Sequence, residues 1–539
     1  MSEEVLYSEK FTIRGNDYER GGEASKELKT LLKRIGADSN AVRRTMVAAY
    51  EAEMNTVIHA TRGTMKVAVA PSQVDVLIED EGPGIPDIAL AVKEGFSTAP
   101  AQAREMGFGA GMGLPNIRKA SDLFEIDTRP GKGTRVRSTI HLRKLAAAET
   151  LRNAIAMRPE SCRSCLACLA ACPTRAMRLR DGRPQILEHL CINCTACLAA
   201  CRYGALGLRE EDEADVDAAL AAAGLLVVPL PFLAGFPQAG PHEVLATLQA
   251  AGAREVRLTD EWEAGLLEET LRYARRPDRP GAGPVLAPVC PAVVNLVETH
   301  FPSLLPQLAP FLSPVEAARD EFSLQALTVV AACPEQYIAL HPGSLPGRLR
   351  VLSPARAAAA VAKALKSTDR AAAQPALGGQ PALSGAGPSE NGPASPEAAA
   401  DSGVLRVTGL SHVLRALEKT EAAALAGVEL LVLYACDQGC WGSPLFPEDP
   451  FLARNRASAV AVGRASAQPR TRPFLARCGL RLDEDMSGAI RKLALIDELT
   501  RRLPGRDCGI CGAPTCACHA EDIVLGRVPG PGCPLEEEK

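Results

Sequence analysis

The sequence predicts a multidomain chain of α/β and α+β layers, and three observations carry that expectation. Its 539 residues exceed what one ordinary core organises and suggest about three or four domains. Residues 1 to about 146, and again the region from Glu210 onward, alternate strand-like and helix-like patterns, as α/β units do. Between them, Cys162 to Cys201 places eight cysteines in two short runs of identical spacing, which suits loops wrapped around a bound metal group.

Composition narrows the function classes. A net charge of −4 shows no basic excess, so neither nucleic acid nor an acidic membrane surface is implied as a partner. The start, MSEEVLYSEK, has acidic residues and no apolar core, and does not read as a secretory signal. Ala218 to Gly240 is uncharged and long enough to span a bilayer, but Gly224, Pro229, Pro231 and Pro237 break it, so it reads as a buried strand and loop and no membrane is expected. Eighteen cysteines without an export signal argue for a reducing cytoplasm and metal ligation. Sixteen form four sets of four, leaving Cys478 and Cys518 as expected buried thiols.

In the first segment, residues 1–146, Phe11 to Ile13 reads as a strand, Ala24 to Ile35 as an amphipathic helix ending at Gly36, and Ala41 to His59 as a longer helix. Glu51, Asn55 and His59 recur on one face of that helix. The apolar strand Val74 to Ile78 leads into Asp80-x-Gly82-x-Gly84, and Gly107, Gly109, Gly111 and Gly113 then open a helix, where bare backbone N–H groups and the helix dipole attract phosphate. In this order the boxes resemble the GHKL ATPases, an α/β sandwich, and the Glu51 to His59 form looks most like the anti-sigma-factor serine kinase branch. That resemblance covers residues 8 to 142. It implies Asn55 as Mg2+ ligand, Glu51 as general base toward a serine hydroxyl or water, and Asp80 as acceptor for the adenine amino group, with Gly82 and Gly84 admitting the base. It further implies Phe96 to Gly113 as a lid over the ATP phosphates and Gly131 to Thr134 as a late glycine box, with Thr134 at the nucleotide. No phosphoacceptor helix pair accompanies it, so His59 is expected to pack rather than to carry phosphate. A homodimer is the oligomeric state the family implies.

The second segment, 147–210, holds the cysteine runs. Cys162, Cys165, Cys168 and Cys172 followed by Pro173, then Cys191, Cys194, Cys197 and Cys201, repeat C-x2-C-x2-C-x3-C and resemble the bacterial two-cluster ferredoxins. Three closely spaced thiolates face one iron-sulfur cube while the fourth reaches the other. Cys162, Cys165, Cys168 and Cys201 are therefore assigned to one 4Fe-4S cluster, and Cys191, Cys194, Cys197 and Cys172 to the second. Structural zinc favours paired C-x2-C knuckles across a longer loop, and disulfide frameworks belong to small secreted chains.

From Glu210, segments such as Gly224 to Leu230, Val244 to Ala251 and Val256 to Thr259 suggest α/β units. Within them stand Pro288-Val-Cys290-Pro, Ala332-Cys333-Pro and Tyr434-Ala-Cys436-Asp-Gln-Gly-Cys440. The ensemble resembles the C-terminal domain of iron-only hydrogenases over about residues 222 to 455, which implies a cubane on Cys290, Cys333, Cys436 and Cys440. Catalytic members carry a proton-relaying cysteine where this chain has Val289, a lysine at Gln336, a glutamate at Ala339 and a methionine at Tyr434. Valine moves no protons and glutamine supplies no charge, so an active hydrogenase is not expected. The domain divides into 211–366 and 404–490 around a disordered Ala/Pro/Gly/Ser insertion at 367–403, after which Val404 to Leu417 resumes a strand-helix pattern.

The last segment, 491–539, carries Cys508, Cys511, Cys516 and Cys533 around a short helix expected at Ala517 to Leu525. The spacing resembles a small helical 4Fe-4S module at the ends of anaerobic electron-transfer proteins. Zinc, with His519 as a substitute ligand, is the alternative. About four clusters, ATP and Mg2+ are thus the expected cofactors. The expected function is a redox-responsive regulator controlling an anti-sigma-type kinase or ATPase, with an anti-sigma antagonist-like protein as partner. The alternative is an electron carrier serving a hydrogenase or ferredoxin-linked oxidoreductase, with ATP gating the transfer.

Overall fold

The computed structural model describes residues 4–106, 108–142, 153–209, 216, 223–280, 283–340, 349–368, 403–471, 473–477, 482–483, 485–528 and 532–535. Gly107, Cys478 and most of the 367–403 insertion lie outside them. The chain forms two compact units, one of Met1–Glu149 with Ala476–Cys511 and Thr515–Lys539, the other of Thr150–Leu475 with Gly512–Pro514.

In the first unit, strands β1 (Tyr7–Arg14), β2 (Arg62–Val69), β3 (Gln73–Asp80), β4 (Leu123–Thr128) and β5 (Thr134–His141) form an antiparallel sheet in the order β1-β2-β3-β5-β4. Met65, Val67 and Val69 on β2, and Val74, Val76 and Ile78 on β3, alternate inward and are buried, which fixes the register of a one-faced sheet. Their apolar face is covered by the Glu23–Arg34 and Ser39–His59 helices, the latter capped by Asp38, whose carboxylate accepts the N–H groups of Asn40 and Ala41.

The same core takes in side chains from the far end of the chain. Leu482, Met486, Ala489, Ile490, Leu493, Ile496 and Leu503, mostly from the Met486–Arg502 helix, are buried in it, together with Ala520 of the Cys516–Val524 helix. The Met486–Arg502 helix starts on Asp485, which accepts the Gly488 N–H, and ends before Pro504, which cannot continue it. Each fully buried Leu or Ile is worth about 1.5–3 kcal/mol, so this stripe is ample to hold the segment in place.

In the second unit, β6 (Ile155–Met157) pairs with β9 (Leu206–Leu208), and β7 (Met177–Arg180) and β8 (Arg183–Ile186) form a hairpin whose Asp181-Gly182 turn has positive φ at both residues. β10 (Leu225–Val228), β11 (Glu255–Leu258), β13 (Leu327–Val330) and β14 (Leu349–Leu352) make a parallel sheet in the order β11-β10-β13-β14. A second parallel sheet joins β12 (Val285–Ala287), β15 (Val404–Thr408) and β16 (Leu430–Tyr434) in the order β12-β16-β15. β10, β12, β13 and β16 are buried along their whole length, as parallel strands covered on both faces must be. The uncharged stretch after Ala223 is β10 followed by the buried Leu230–Leu233 turn of helix. Among the described residues no helix is long and apolar enough to cross a membrane.

Candidate functional site

The Ser39–His59 helix presents Glu51 and Asn55 one turn apart, both half-buried. Asn116, in the first turns of the Gly113–Ala120 helix, donates from Nδ2 to Glu51 Oε1 at 2.7 Å and orients that carboxylate. Gly113 starts the same helix so close to Asn55 that a Cβ there would stand 3.0 Å from Asn55 Oδ1. Asp80, at the end of β3, accepts the Gly82 N–H at 2.8 Å and the Thr134 N–H at 3.2 Å, both on Oδ1. Burial pushes the Asp80 carboxyl above its ordinary value, and those two N–H groups work against the rise. Gly84 lies against the Arg129 carbonyl, and Gly109 against Ala99. Gly111 is required twice over: its φ of +73 is left-handed, and a Cβ would lie 2.4 Å from the Gly95 carbonyl carbon, where the backbone pairs Gly95 N–H with Gly111 O at 3.0 Å. His59, expected to pack, is exposed at the last turn of its helix; desolvation lowers its pKa while Asp80 opposes that.

The cysteines of the second unit are grouped by the chain's local geometry. Ser164 and Leu166 in the first run, and Asn193 and Thr195 in the second, take left-handed φ between 49° and 68°, which curls each loop inward before a short helix, Ala167–Ala171 or Ala196–Ala200. Cys162, Cys165, Cys168 and Cys201 line one cavity of about 370 Å3. Cys172 acts electrostatically on each of Cys191, Cys194 and Cys197, raising their thiol pKa values on top of the larger effect of burial. The fourth thiol of each run therefore lies with the first three of the other.

Cys290, Cys333, Cys436 and Cys440 line a second cavity, of about 410 Å3, with Cys194 in its wall. Cys290 follows β12, Cys333 follows β13 and Cys436 follows β16, so these three sit at carboxyl ends of parallel strands, where α/β sheets leave a crevice. Burial, then the neighbouring thiols, pushes Cys333 well above the ordinary thiol value, and Cys440 is raised by burial, Glu263 and the other three. Four enclosed thiols resist shedding their protons unless a cation joins them, which suits an iron group. The donor set, four thiols lining one cavity, fits a cubane.

The walls of this cavity are occupied in other ways. Val289 is buried, Gln336 turns its Oε1 back to accept the Ala332 N–H at 2.8 Å, and the Tyr434 hydroxyl donates to Glu263 Oε1 at 2.5 Å. Burial, with Asp260 adding to it, pushes Glu263 up to about 7.

In the terminal module Cys508 is exposed, Cys511 is half-buried, and Cys516 and Cys533 pack against the first unit's core. Thr515 caps the Cys516–Val524 helix, Asp507 accepts the Cys516 N–H at 2.7 Å, and Arg527 pairs with Glu521 and the fully buried Asp522. Cys518 is buried, as expected of it. His519 is buried, with Nε2 3.4 Å from the Gly532 carbonyl. Among the described residues its Nδ1 has no hydrogen-bond partner. An orphaned buried nitrogen on the helix that Cys516 opens fits a module built around a bound group.

Sequence reasoning did not single out Asn116, which orients Glu51, or Thr195, which lies against Cys436. Only Asn116 had a signal, its place three residues after the glycine run.

Four family models match in succession: a histidine kinase-like ATPase domain at residues 16–140, a 4Fe-4S dicluster domain at 154–213, the C-terminal domain of the iron only hydrogenase large subunit at 219–319, and an Fe-S cluster family at 503–535. Serine/threonine-protein kinase RsbT of Bacillus subtilis is 28% identical over 119 residues, 21% of this chain and 84% of that protein. The anti-sigma F factor of the same bacterium is 31% identical over 121 residues, 22% of this chain and 72% of the relative. Among solved structures, an FeFe-hydrogenase from Chlamydomonas reinhardtii is 16% identical with a TM-score of 0.30, over 46% of this chain and 90% of that one.

Proposed function

Because the chain belongs, through residues 16–140, to the histidine kinase-like ATPases of the anti-sigma factor kind, we propose that it is an ATP-binding iron-sulfur regulator whose clusters control a serine/threonine kinase or ATPase module. The observation that carries the regulatory part is the hydrogenase-like cavity: four thiols kept, with Val289 and Gln336 standing where catalytic members carry a proton-relaying cysteine and a charged lysine, and Tyr434 where they carry a methionine. A site that keeps its ligands and loses its proton path is suited to report a state, not to turn over hydrogen.

At the nucleotide site Asn55 would hold Mg2+, and Asp80 would accept the adenine amino group on the oxygen its backbone bonds leave open. Glu51, steered by Asn116, would take the proton of a serine hydroxyl on a protein partner or of a water. The glycines from Gly107 to Gly113 would let backbone N–H groups meet the phosphates. The partner is read as an anti-sigma antagonist-like protein. About four 4Fe-4S clusters, on the sixteen cysteines in four sets, would supply one-electron storage.

One observation favours a second reading, electron transfer gated by ATP. The Thr195 hydroxyl lies 3.5 Å from Cys436 Sγ and Cys194 lines the hydrogenase-like cavity, so the ferredoxin thiols and that cavity adjoin.

The test is ATP turnover of anaerobically reconstituted protein, oxidised against dithionite-reduced, with Glu51→Ala as control. Turnover that changes with redox state and falls at least about 100-fold in the control supports the regulator. Turnover indifferent to redox state leaves only the electron carrier.

A further inference from the structure

Cys516 and Cys533 pack against the same hydrophobic core as the helix that carries Glu51 and Asn55, although hundreds of residues separate them in sequence. The Met486–Arg502 helix packs on the Cys516–Val524 helix, and Leu493 and Ile496 of the first and Ala520 of the second are buried in the same core. From it Asp497 reaches the sheet and the first helix: its Oδ2 lies 3.0 Å from the Tyr7 hydroxyl on β1, and its Oδ1 accepts from Arg34 Nη1 at 3.3 Å.

Arg34 is the last residue of the Glu23–Arg34 helix, a rod of about 18 Å. The far end of that rod lacks a side-chain cap of its own, since Gly22 occupies the capping position. Glu53 does the capping instead: Oε1 accepts the Gly22 and Ala24 N–H groups at 3.0 and 3.2 Å, and Oε2 accepts that of Ser25 at 3.0 Å. Glu53 is 3% exposed and sits on the helix that carries Glu51 and Asn55. A buried carboxylate on a helix N-terminus is an expensive contact to break, so a shift of the rod drags the helix with the site residues.

We propose that the terminal four-cysteine module is the input element of the nucleotide site, acting through Asp497, Arg34 and Glu53 to set nucleotide affinity. This rests on the reading above that Asn55 and Asp80 bind nucleotide and that Cys508, Cys511, Cys516 and Cys533 hold a cluster. One electron from a low-potential one-electron donor, dithionite in the assay, adds one negative charge to the module and makes or breaks no bond. Any effect of that charge on nucleotide affinity is reciprocal: nucleotide shifts the module's potential by the same factor.

The experiment measures the affinity of a fluorescent ATP analogue for the full reconstituted chain, oxidised and reduced. The expected difference is at least about fivefold. It disappears in Cys508→Ser with Cys511→Ser, whose ferredoxin clusters are verified by electron paramagnetic resonance, and in Asp497→Asn, which keeps oxidised-state affinity within about twofold. Independently of any variant's folding, hydrogen exchange of the wild-type Gly22, Ala24 and Ser25 amides changes on reduction without nucleotide. Equal affinity in both states overturns the inference while leaving the nucleotide site intact. A redox dependence that survives loss of Cys508 and Cys511 overturns it too, by moving the input to another cluster. Failure of either state to bind the analogue brings down the nucleotide reading and the inference together.

Discussion

The two cysteine runs between Cys162 and Cys201 have the same spacing and the same backbone path, yet opposite surroundings. In the first, Cys165 is exposed, Ser164 is exposed and gives its hydroxyl to the Gly182 carbonyl, and Leu166 offers no polar group. In the second, Cys191 and Cys197 are buried and the equivalent positions are Asn193 and Thr195, 1% and 3% exposed. Asn193 donates to Glu335 at 2.8 Å and accepts the Ala154 N–H, and Thr195 touches Cys436. Spacing sets how thiols surround a group; the residues between the thiols set what that group is coupled to. The first loop is the more exposed of the two. The second is wired into the hydrogenase-like site.

The largest effect that would sharpen this contrast comes from removing one thiol of each loop. Cys197→Ser should lose one cluster's iron and lower the melting temperature of the anaerobic protein by on the order of 5–10 °C, because buried structure around it loses its anchor. Cys165→Ser should lose the same amount of iron and melt within about 2 °C of the parent. Iron content and calorimetry on the two variants decide the matter, and equal melting shifts would mean that burial of the second loop contributes nothing.

A smaller effect isolates the polar wiring from the iron. Asn193→Ala removes a donor from a buried carboxylate and an acceptor from a buried N–H, for an expected loss of about 2–3 kcal/mol. Ser164→Ala, at the same left-handed backbone angle but exposed, should cost less than about 1 kcal/mol. Denaturant unfolding of the pair measures the difference directly. Similar losses would place the cost in the shared backbone conformation and not in the burial.

How much of this could be read from the chain depends on the range of each interaction. The cysteine sets that line the two cavities were legible because ligand spacing is a local property. The strand at Val74 to Ile78 and the buried β10 followed from hydropathy alone, whereas β2 was not read from the sequence. By contrast, Glu53 sits in plain view between Glu51 and Asn55, but its partners are about thirty residues away and on the opposite side of its helix. The stripe of Ile490, Leu493 and Ile496 marks an amphipathic helix without saying which core it will enter. His59 shares a helical face with Glu51 and Asn55, yet that face ends at the last turn, where the helix runs out of cover. Periodicity assigns a face; only tertiary contact assigns its neighbour.

The finest distinction between the loops is one hydroxyl. Thr195 Oγ1 donates to the Cys194 carbonyl at 2.6 Å and lies 3.5 Å from Cys436 Sγ, so its single hydrogen is within reach of both a backbone acceptor and the sulfur that the proposed function assigns to the cluster. A hydrogen bond to ligand sulfur stabilises the more negative, reduced cluster and raises its potential. Thr195→Val keeps the shape and removes the hydrogen, so the midpoint of the hydrogenase-like site's cluster should fall by about 30–60 mV, the range of a tenfold change or less in a one-electron equilibrium. Leu166→Val, at the matching position of the first loop, should move no midpoint, since no hydroxyl stood there. A redox titration followed by electron paramagnetic resonance reads both. A Thr195→Val midpoint equal to the parent's would mean that the hydrogen belongs wholly to the Cys194 carbonyl. The second loop would then be joined to the hydrogenase-like cavity by packing and by Asn193 alone.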